Sequence, residues 1–332
     1  MGFTNFPNGI TSFGSPVLGN GGLPIALAGE LKFLVGARAD SNVNYKLLKD
    51  RGVSDNDIFT TSATAYAATT SLRHDTVLVS PETHSQAATL TWAKYATHLI
   101  GNESPRMFQA HAARITPSAN YTPGWTISGY NNTWANLRLA HPAGSAGNLV
   151  GLEMSGHYNY WNNVDLWSPG STTEGAVEAM VSLSCSGGNN YFERCTIGGD
   201  SRMRAAANCI LSINTSGVQN VFKDCVFMFY TNSADTYFIY CGSGSGIQNR
   251  WTLFDNCTFI AYSANWATAA TVAVKFNYSG GTGHRLLFKD CSFMGVTDVI
   301  SSDDSYRNNC WFSGGNTCVG ATTGTGLYAV ST

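Results

Sequence analysis

The chain has 332 residues with 19 basic and 21 acidic side chains, and its formal charge of −2 excludes both a strongly basic nucleic-acid surface and a dominant acidic tail. Charged residues make up 12% of the chain, about half of the ~25% of an ordinary soluble domain, so Asn, Ser, Thr and Gly must supply much of the polar surface. The hydrophobic content of 43% is ample for a core and excludes disorder, while no run of about 18 apolar residues offers a membrane span.

The first 30 residues show no helical or strand periodicity and carry no charge before Glu30. Gly and Pro recur in this stretch, and its apolar anchors stand singly: Phe3, Phe6, Pro7, Phe13 and Leu18. Exposed apolar side chains of this kind favour contact with another surface. Residues 1–30 are therefore predicted to form an extended arm that lies either along its own body or on a partner.

Residues 31–74 are predicted to form a cap region with one short helix. Ile58, Phe59, Ala63 and Tyr66 recur at helix-compatible spacing in a stretch rich in Ala and Thr, which predicts a helix within residues 56–71. Three short apolar runs follow at 75–79, 90–92 and 98–101. Their spacing of about ten residues is typical of the start of an all-β region.

An internal repeat dominates the rest of the chain. An aromatic residue, two variable residues, Cys, one variable residue and an apolar residue recur as FERCTI at 192–197, FKDCVF at 222–227, FDNCTF at 254–259 and FKDCSF at 288–293. Degenerate copies stand upstream as WANLRL at 134–139 and WNNVDL at 161–166, and CWF at 310–312 follows. From residue 137 to residue 291 the fourth position of the motif recurs at intervals of 27 to 34 residues.

Each copy is preceded by a second predicted strand, at 125–127, 150–152, 181–183, 210–213, 238–240 and 272–274. A unit of about 30 residues with period-2 strands cannot bury its own apolar face, so the units must stack and share one core. The sequence therefore predicts an all-β chain with a β-solenoid over residues 75–320 and a C-terminal tail over 321–332.

Several positions repeat in a way that only stacking explains. An amide ladder is predicted for the residues two places before the aromatic position, Asn132, Asn159, Asn190 and Asn220, with Thr252 and Leu286 interrupting it. The residue after the aromatic alternates in sign as Glu193, Lys223, Asp255 and Lys289. Interior columns are predicted for Phe192, Phe222, Phe254 and Phe288 and for Cys195, Cys225, Cys257 and Cys291, and a looser second cysteine ladder for Cys185, Cys209 and Cys241.

With this repeat, residues 70 to 320 resemble the right-handed parallel β-helix of the pectin-lyase-like superfamily. The run DTVLVSP at 75–81 is similar to the family's entry strand, and HLIG at 98–101 to the strand after it. The stretch FTNFPNGITSFG at 3–14 separately resembles the openings of structural proteins of tailed bacteriophages that associate with the capsid. The first resemblance implies the fold; because that fold carries lyases, glycosidases, tailspikes and inert virion proteins alike, activity has to be argued from a site.

No residue set points to catalysis. Asp224, Asp255 and Asp290 stand on adjacent repeats, but Arg194, Lys223 and Lys289 lie between them, which favours a neutralised surface ladder over a pair of catalytic carboxylates. Asp298, Asp303 and Asp304 are explained by turn chemistry. The seven histidines show no metal-ligand spacing, so no metal and no cofactor are predicted. Aromatic residues in or beside loops could stack on sugars or fill a subunit interface: Trp167, Tyr230, Tyr262, Trp266 and Trp311.

Three function classes remain: a virion protein that decorates or cements a phage capsid, a tailspike or fibre that binds or depolymerises a host glycan, and a free polysaccharide-degrading enzyme. The N-terminus lacks a signal peptide, which disfavours the free enzyme and predicts assembly into virions in a host cytoplasm rather than secretion. A carboxylate-lined groove is not apparent, so capsid decoration is favoured over a tailspike. The expected partners are the major capsid protein or another virion protein, two further copies in a homotrimer, and surface glycans, with no nucleic acid and no membrane. The nine cysteines are expected to stay reduced.

Overall fold

The computed structural model describes residues 11–12, 15–16, 29–103, 111–118, 122–140, 150–167, 176, 180–214, 219–242, 251–263, 270–277, 285–300 and 307–319. The predicted arm anchors Phe3, Phe6, Pro7, Phe13 and Leu18, together with Trp266, Asp303, Asp304 and the tail 321–332, lie outside these residues.

Strands make up most of the described chain. In chain order they are β1 (Thr11–Ser12), β2 (Ser15–Pro16), β3 (Leu31–Leu34), β4 (Ile58–Phe59), β5 (Thr76–Val79), β6 (Thr83–Gln86), β7 (Leu90–Trp92), β8 (His98–Gly101), β9 (Arg114–Pro117), β10 (Trp125–Ile127), β11 (Thr133–Ala140), β12 (Val150–Met154), β13 (Tyr160–Trp167), β14 (Val181–Cys185), β15 (Tyr191–Glu193), β16 (Thr196–Arg204), β17 (Asn208–Ile213), β18 (Val221–Lys223), β19 (Val226–Thr231), β20 (Thr236–Cys241), β21 (Trp251–Asp255), β22 (Thr258–Ser263), β23 (Ala270–Phe276), β24 (Arg285–Lys289), β25 (Ser292–Met294), β26 (Val296–Ile300), β27 (Cys310–Ser313) and β28 (Thr317–Val319). The helices are α1 (Val43–Asp50) and α2 (Ser62–Ala67), with 3-10 turns at Asp55–Asp57 and Arg307–Asn309.

The strands stack as a right-handed parallel β-helix, as the repeat predicted. Each full rung contributes a strand to a first sheet, a strand to a second sheet and a strand to a third sheet. The first sheet includes β15, β18, β21, β24 and β27, the second includes β16, β19, β22, β25 and β28, and the third runs β7, β10, β12, β14, β17, β20, β23 and β26. In the two preceding rungs the long strands β11 and β13 serve both the first and the second sheet.

A single residue in the left-handed region turns the chain from the first sheet to the second. Its φ lies between 52° and 54° in six successive rungs, at Asn136, Asn163, Arg194, Asp224, Asn256 and Asp290. Asn and Asp tolerate this conformation better than other non-glycine residues. Asp224 and Asp290 both occupy this turn position, whereas Asp255 stands one residue before it, at the end of β21.

The aromatic position of the repeat fills one interior column. Ring centroids are 4.6 Å apart between Phe192 and Phe222, 5.1 Å between Phe222 and Phe254 and 5.0 Å between Phe254 and Phe288. Trp134 and Trp161 continue the column upward and Phe312 continues it downward. The four phenylalanines of the repeat are at most 1% exposed, so the column is the centre of the core.

The predicted asparagines form a ladder that satisfies buried backbone groups. The amide oxygens of Asn159, Asn190 and Asn220 each accept the backbone N–H of the asparagine one rung earlier, at 2.9 to 3.0 Å. Asn132, at the top, accepts the N–H of Thr97 at 2.9 Å. All four side chains are about 1% exposed, where an unpaired polar group would be costly.

The cysteines after the sharp turn form the predicted buried column. The thiols of Cys225, Cys257 and Cys291 donate to the backbone oxygens of Phe192, Phe222 and Phe254, the aromatic residues one rung earlier. The looser second ladder was predicted wrongly. Cys185 and Cys241 do share an inward column, but Ile213 stands between them. Cys209 pairs with Val181 and Tyr237 in another column, because it is the second residue of its strand whereas the other two end theirs.

The predictions for the cap region need correction. The helix expected within residues 56–71 is shorter, because Ile58 and Phe59 form β4 on the edge of β3 and only Ser62–Ala67 is α-helical. Ile58 is fully buried in that strand, which outweighs its helix-compatible spacing. The helix α1 was not predicted, and β3 already stacks in parallel on β5, so the β-helix begins at Leu31 rather than at residue 75.

Candidate binding groove

A groove with a volume of about 360 Å³ opens on the outer face of the third sheet, across β14, β17 and β20. Its lining is uncharged and combines small polar groups with two phenol rings: Val181, Ser184, Ala207, Asn208, Cys209, Ser212, Asn214, Tyr237 and Tyr240. Ser184, Ser212 and Tyr240 are register partners on successive strands, so the stacking of rungs places them in one row.

Hydrogen bonds fix the polar side of the groove. Asn214, directly after β17, donates from Nδ2 to the Ser184 hydroxyl at 3.0 Å and accepts the Ser212 hydroxyl at 3.2 Å. Ser184 and Asn214 remain partly exposed. These neutral donors and acceptors are the groups that recognise hydroxyls on a ligand.

Arg204 supports the groove from below. Its side chain is fully buried, and it donates from Nη1 to the Asn208 amide oxygen at 3.0 Å and from Nη2 to the Ser182 hydroxyl at 2.7 Å. Burial lowers the pKa of Arg204 to about 10, which still leaves the guanidinium charged at neutral pH. Asn208 is thereby held in one orientation at the groove floor.

The two tyrosines form the aromatic side of the groove. Asn277 donates to the Tyr240 hydroxyl at 2.6 Å, and the Tyr237 hydroxyl donates to Asp235 at 3.2 Å. Burial and the Asp235 charge raise the pKa of Tyr237 to about 12, and burial raises the pKa of the Cys209 thiol to about 12. Neither group ionises at neutral pH, and no carboxylate lines the groove among the described residues, so the groove offers binding groups rather than an acid–base pair.

The acidic residues singled out in the sequence serve the stack. Asp255 pairs with Lys289 at 3.0 Å, the Asp224 carboxylate accepts from Asn256 at 2.6 Å, and Asp290 accepts the N–H of Gly315 at 2.7 Å. The three carboxylates therefore do not meet in a groove. Asp298 lies on β26 of the third sheet, where burial raises its pKa.

The described loop aromatics, for which sugar stacking and a subunit interface were both left open, do not line the groove. Tyr230 and Tyr262 are register partners on the second sheet, and Tyr262 is 40% exposed. Trp311, 50% exposed, stands on the first sheet beneath the Arg285 guanidinium, and Trp167 ends β13. The tyrosines that line the groove were missed, although the Tyr237 and Tyr240 pair in TYFIYC at 236–241 was a readable signal.

Within the described ranges no group of His, Cys, Asp and Glu has an arrangement suited to a metal ion, and no helix is long and apolar enough to cross a membrane. The described histidines have protein partners; His111, for example, contacts the Glu103 carboxylate at 3.1 Å, and His74 contacts His98 at 3.2 Å.

No protein-family model matches the sequence, and no curated protein sequence matches it. Among solved structures, the pectin methylesterase from carrot is similar at 13% identity with a TM-score of 0.57, covering 83% of this chain and 85% of that one. The pectin methylesterase from Aspergillus niger is similar at 14% identity with a TM-score of 0.54, covering 84% and 88%. ORF18 of Geobacillus virus E2 is similar at 11% identity with a TM-score of 0.42, covering 78% of this chain and 57% of that one. At these identities the comparisons show the fold alone: the chain shares a parallel β-helix with these pectin methylesterases.

Proposed function

We propose that this chain is a structural protein of a tailed-phage virion that decorates or cements the capsid surface, with the major capsid protein or another virion protein as its partner. The observation that carries the proposal is the run of residues 1–29, which is apolar, rich in Gly and without a charge, and which leads directly into β3 at the top of the stack.

The energetics of such an arm set a requirement on its partner. Ordering an extended segment costs about 1–2 kcal/mol of backbone entropy per residue, whereas each buried large apolar side chain returns about 1.5–3 kcal/mol. An arm with few anchors therefore needs a deep and specific groove to hold it. The repeated columns of the β-helix support the same function. Their asparagines, cysteines and charges contact neighbouring rungs, as expected of a structural protein.

The test is the binding of the purified protein to virions or capsids stripped of it. A chain beginning at Gly29 keeps the hydrogen bond from the Glu30 N–H to Asp75 at 2.8 Å, so the stack is expected to retain its cooperative melt while capsid binding is lost. In the full chain, Phe6→Ser with Phe13→Ser is expected to weaken binding at least tenfold, and Thr4→Ser to leave it unchanged. Equal decoration by the truncated and the full-length chain would contradict the proposal.

The groove favours a second candidate function, the binding of a neutral surface glycan. Sugar rings stack on phenol rings, and their hydroxyls pair with the amide and hydroxyl groups that Asn208, Ser212 and Asn214 present. A panel of bacterial capsular and lipopolysaccharide oligosaccharides, screened by saturation-transfer NMR, tests this candidate. Tyr240→Ala is expected to reduce binding about tenfold, as is usual when a packed aromatic contact is lost. Tyr262→Ala, on the second sheet, is the matched control, and absence of binding by the unmodified protein to the whole panel would end this candidate.

A further inference from the structure

The outer face of the first sheet carries two parallel columns of register partners. One column is apolar and consists of register partners on six successive rungs: Tyr160, Tyr191, Val221, Leu253, Leu287 and Trp311. The second column stands two residues further along each strand: Asn162, Glu193, Lys223, Asp255, Lys289 and Ser313.

Both columns are accessible except at Asn162, which is 2% exposed; in the second column Glu193, Lys223 and Asp255 are partly exposed, and Lys289 and Ser313 are exposed. The four central members of the apolar column are partly exposed, and Trp311 at the lower end is 50% exposed. Rungs are ~4.8 Å apart, so six rungs span about 24 Å. An apolar stripe of that length beside a line of charges has the composition of a contact surface rather than of a solvated face.

The order of the charges shows which partner fits. Reading down the stack, the second column is negative, positive, negative and positive, with neutral Asn162 and Ser313 at the two ends. Read upward, the order is positive, negative, positive and negative. A copy of the same face turned upside down therefore places Glu193 opposite Lys289 and Lys223 opposite Asp255, with every pair of opposite sign.

The apolar column has the same symmetry. Inversion of the stack order places Tyr160 opposite Trp311, Tyr191 opposite Leu287 and Val221 opposite Leu253, so large rings meet at both ends and aliphatic side chains meet in the middle. A face that is complementary to itself after a twofold rotation is the requirement for an isologous dimer.

We propose that this face is the contact between two copies of the chain, related by a twofold axis that runs parallel to the strands, between Lys223 and Asp255. That axis reverses the stack but keeps each column opposite itself. A twofold axis along the stack would instead place the apolar column of one copy opposite the charged column of the other. A threefold axis along the stack would bring two different faces into contact, so neither arrangement uses the self-complementarity of this face. The contact area is small, so the dimer is expected to be weak and to depend on concentration.

Within one chain Lys289 already pairs with Asp255 of the rung above, at 3.0 Å. In the dimer Asp255 faces Lys223 of the second copy at the centre of the contact, and Lys289 faces Glu193 one rung further out, so each of these charges gains a second opposite charge. Such partly exposed pairs are screened by salt.

Sedimentation velocity of the full chain from about 5 µM to about 500 µM tests the proposal, since that range brackets weak dimers. The mass is expected to rise from 35.5 kDa towards twice that value, and the dissociation constant to increase at least tenfold between about 50 mM and about 500 mM salt. A single 35.5 kDa species at every concentration would overturn the dimer, as would the mass of three chains, which the sequence predicted from Tyr262 and Trp266.

Charge variants separate this contact from any other. Lys223→Glu sets like charges opposite each other twice and is expected to weaken the dimer at least tenfold. The double variant Lys223→Glu with Asp255→Lys restores opposite signs across the twofold axis, although it places like charges on neighbouring rungs within the chain, so dimerisation is expected to recover. Arg202→Glu, an exposed charge change on the second sheet, is the control. A dimer indifferent to Lys223→Glu, or a double variant as weak as the single one, would refute the proposed contact.

Discussion

Replacing Phe222 with Ala removes a ring from the middle of the interior aromatic column. The side chain is 1% exposed, and its ring lies 4.6 Å from Phe192, 5.1 Å from Phe254 and 5.5 Å from Phe227, measured between centroids. The rungs above and below are held at fixed spacing by strand pairing, so the cavity cannot close by collapse. We expect the free energy of unfolding to fall by about 3–5 kcal/mol, of which the two stacked pairs, with Phe192 and Phe254, account for about 1–3 kcal/mol.

Urea denaturation followed by far-UV circular dichroism measures this loss as a lower midpoint at unchanged slope. Val221→Ala is the matched control, because Val221 is the adjacent residue, faces outward and is half-buried; its loss is expected to stay below about 1 kcal/mol. Equal losses for Phe222→Ala and Val221→Ala would refute the assignment of inward and outward faces on which the whole stack depends.

Three further predictions concern the polar interior. Asn190→Ala leaves the buried N–H of Asn159 and the carbonyl of Gly156 without their partner, and it is expected to lower the free energy of unfolding by about 2–4 kcal/mol in the same urea assay. An apolar residue at position 190 is not expected to restore this stability. Burial, reinforced by the nearby His74, lowers the pKa of His98 to about 4, so on acidification the unfolded chain binds the proton before the folded one does. The free energy of unfolding is therefore expected to be constant above about pH 6.5 and to fall by about 3 kcal/mol by pH 4. His98→Gln is expected to reduce this dependence, measured as the urea midpoint against pH. All nine thiols are expected to react with a thiol reagent after denaturation without reductant, and a bridged peptide joining Cys195 to Cys225 in the mass spectrum of fresh protein would contradict this.

The stacked body could be predicted from the sequence because the same chemical choice is repeated at each rung. Phe192 alone says little, but an aromatic residue, a charge and a cysteine at a constant offset in four rungs require one column to face inward and one to face outward. The asparagine ladder was predictable for the same reason, since Asn159 and Asn190 recur two places before the aromatic residue.

Features that occur once could not be predicted in this way. Ile58 and Phe59 fit a helix by spacing and a strand by burial, and only the neighbouring strand β3 decides between them. The groove could not be predicted because its tyrosines and serines come from three strands, and the register between those strands decides which residues are neighbours. The varying length of the repeat hides that register in the sequence. The pair Tyr237 and Tyr240 can be read from the sequence, but the positions of Ser184 and Ser212 beside it cannot.

The single-residue turn between the first and second sheets also governs how the protein can diverge. Six successive rungs use one residue for this turn, at φ near 53°. An insertion at Asp224 or Asn256 would therefore move the side chains of the following strand of that rung to the opposite face of the sheet. The connections between the second and third sheets have no such constraint, and range from residues 205–207 to residues 168–180. The connections between the third sheet and the first also vary, from residues 186–190 to residues 242–250. Length variation, and with it new surface chemistry, is thus concentrated at the two ends of the third sheet, while the single-residue turn keeps successive rungs in step.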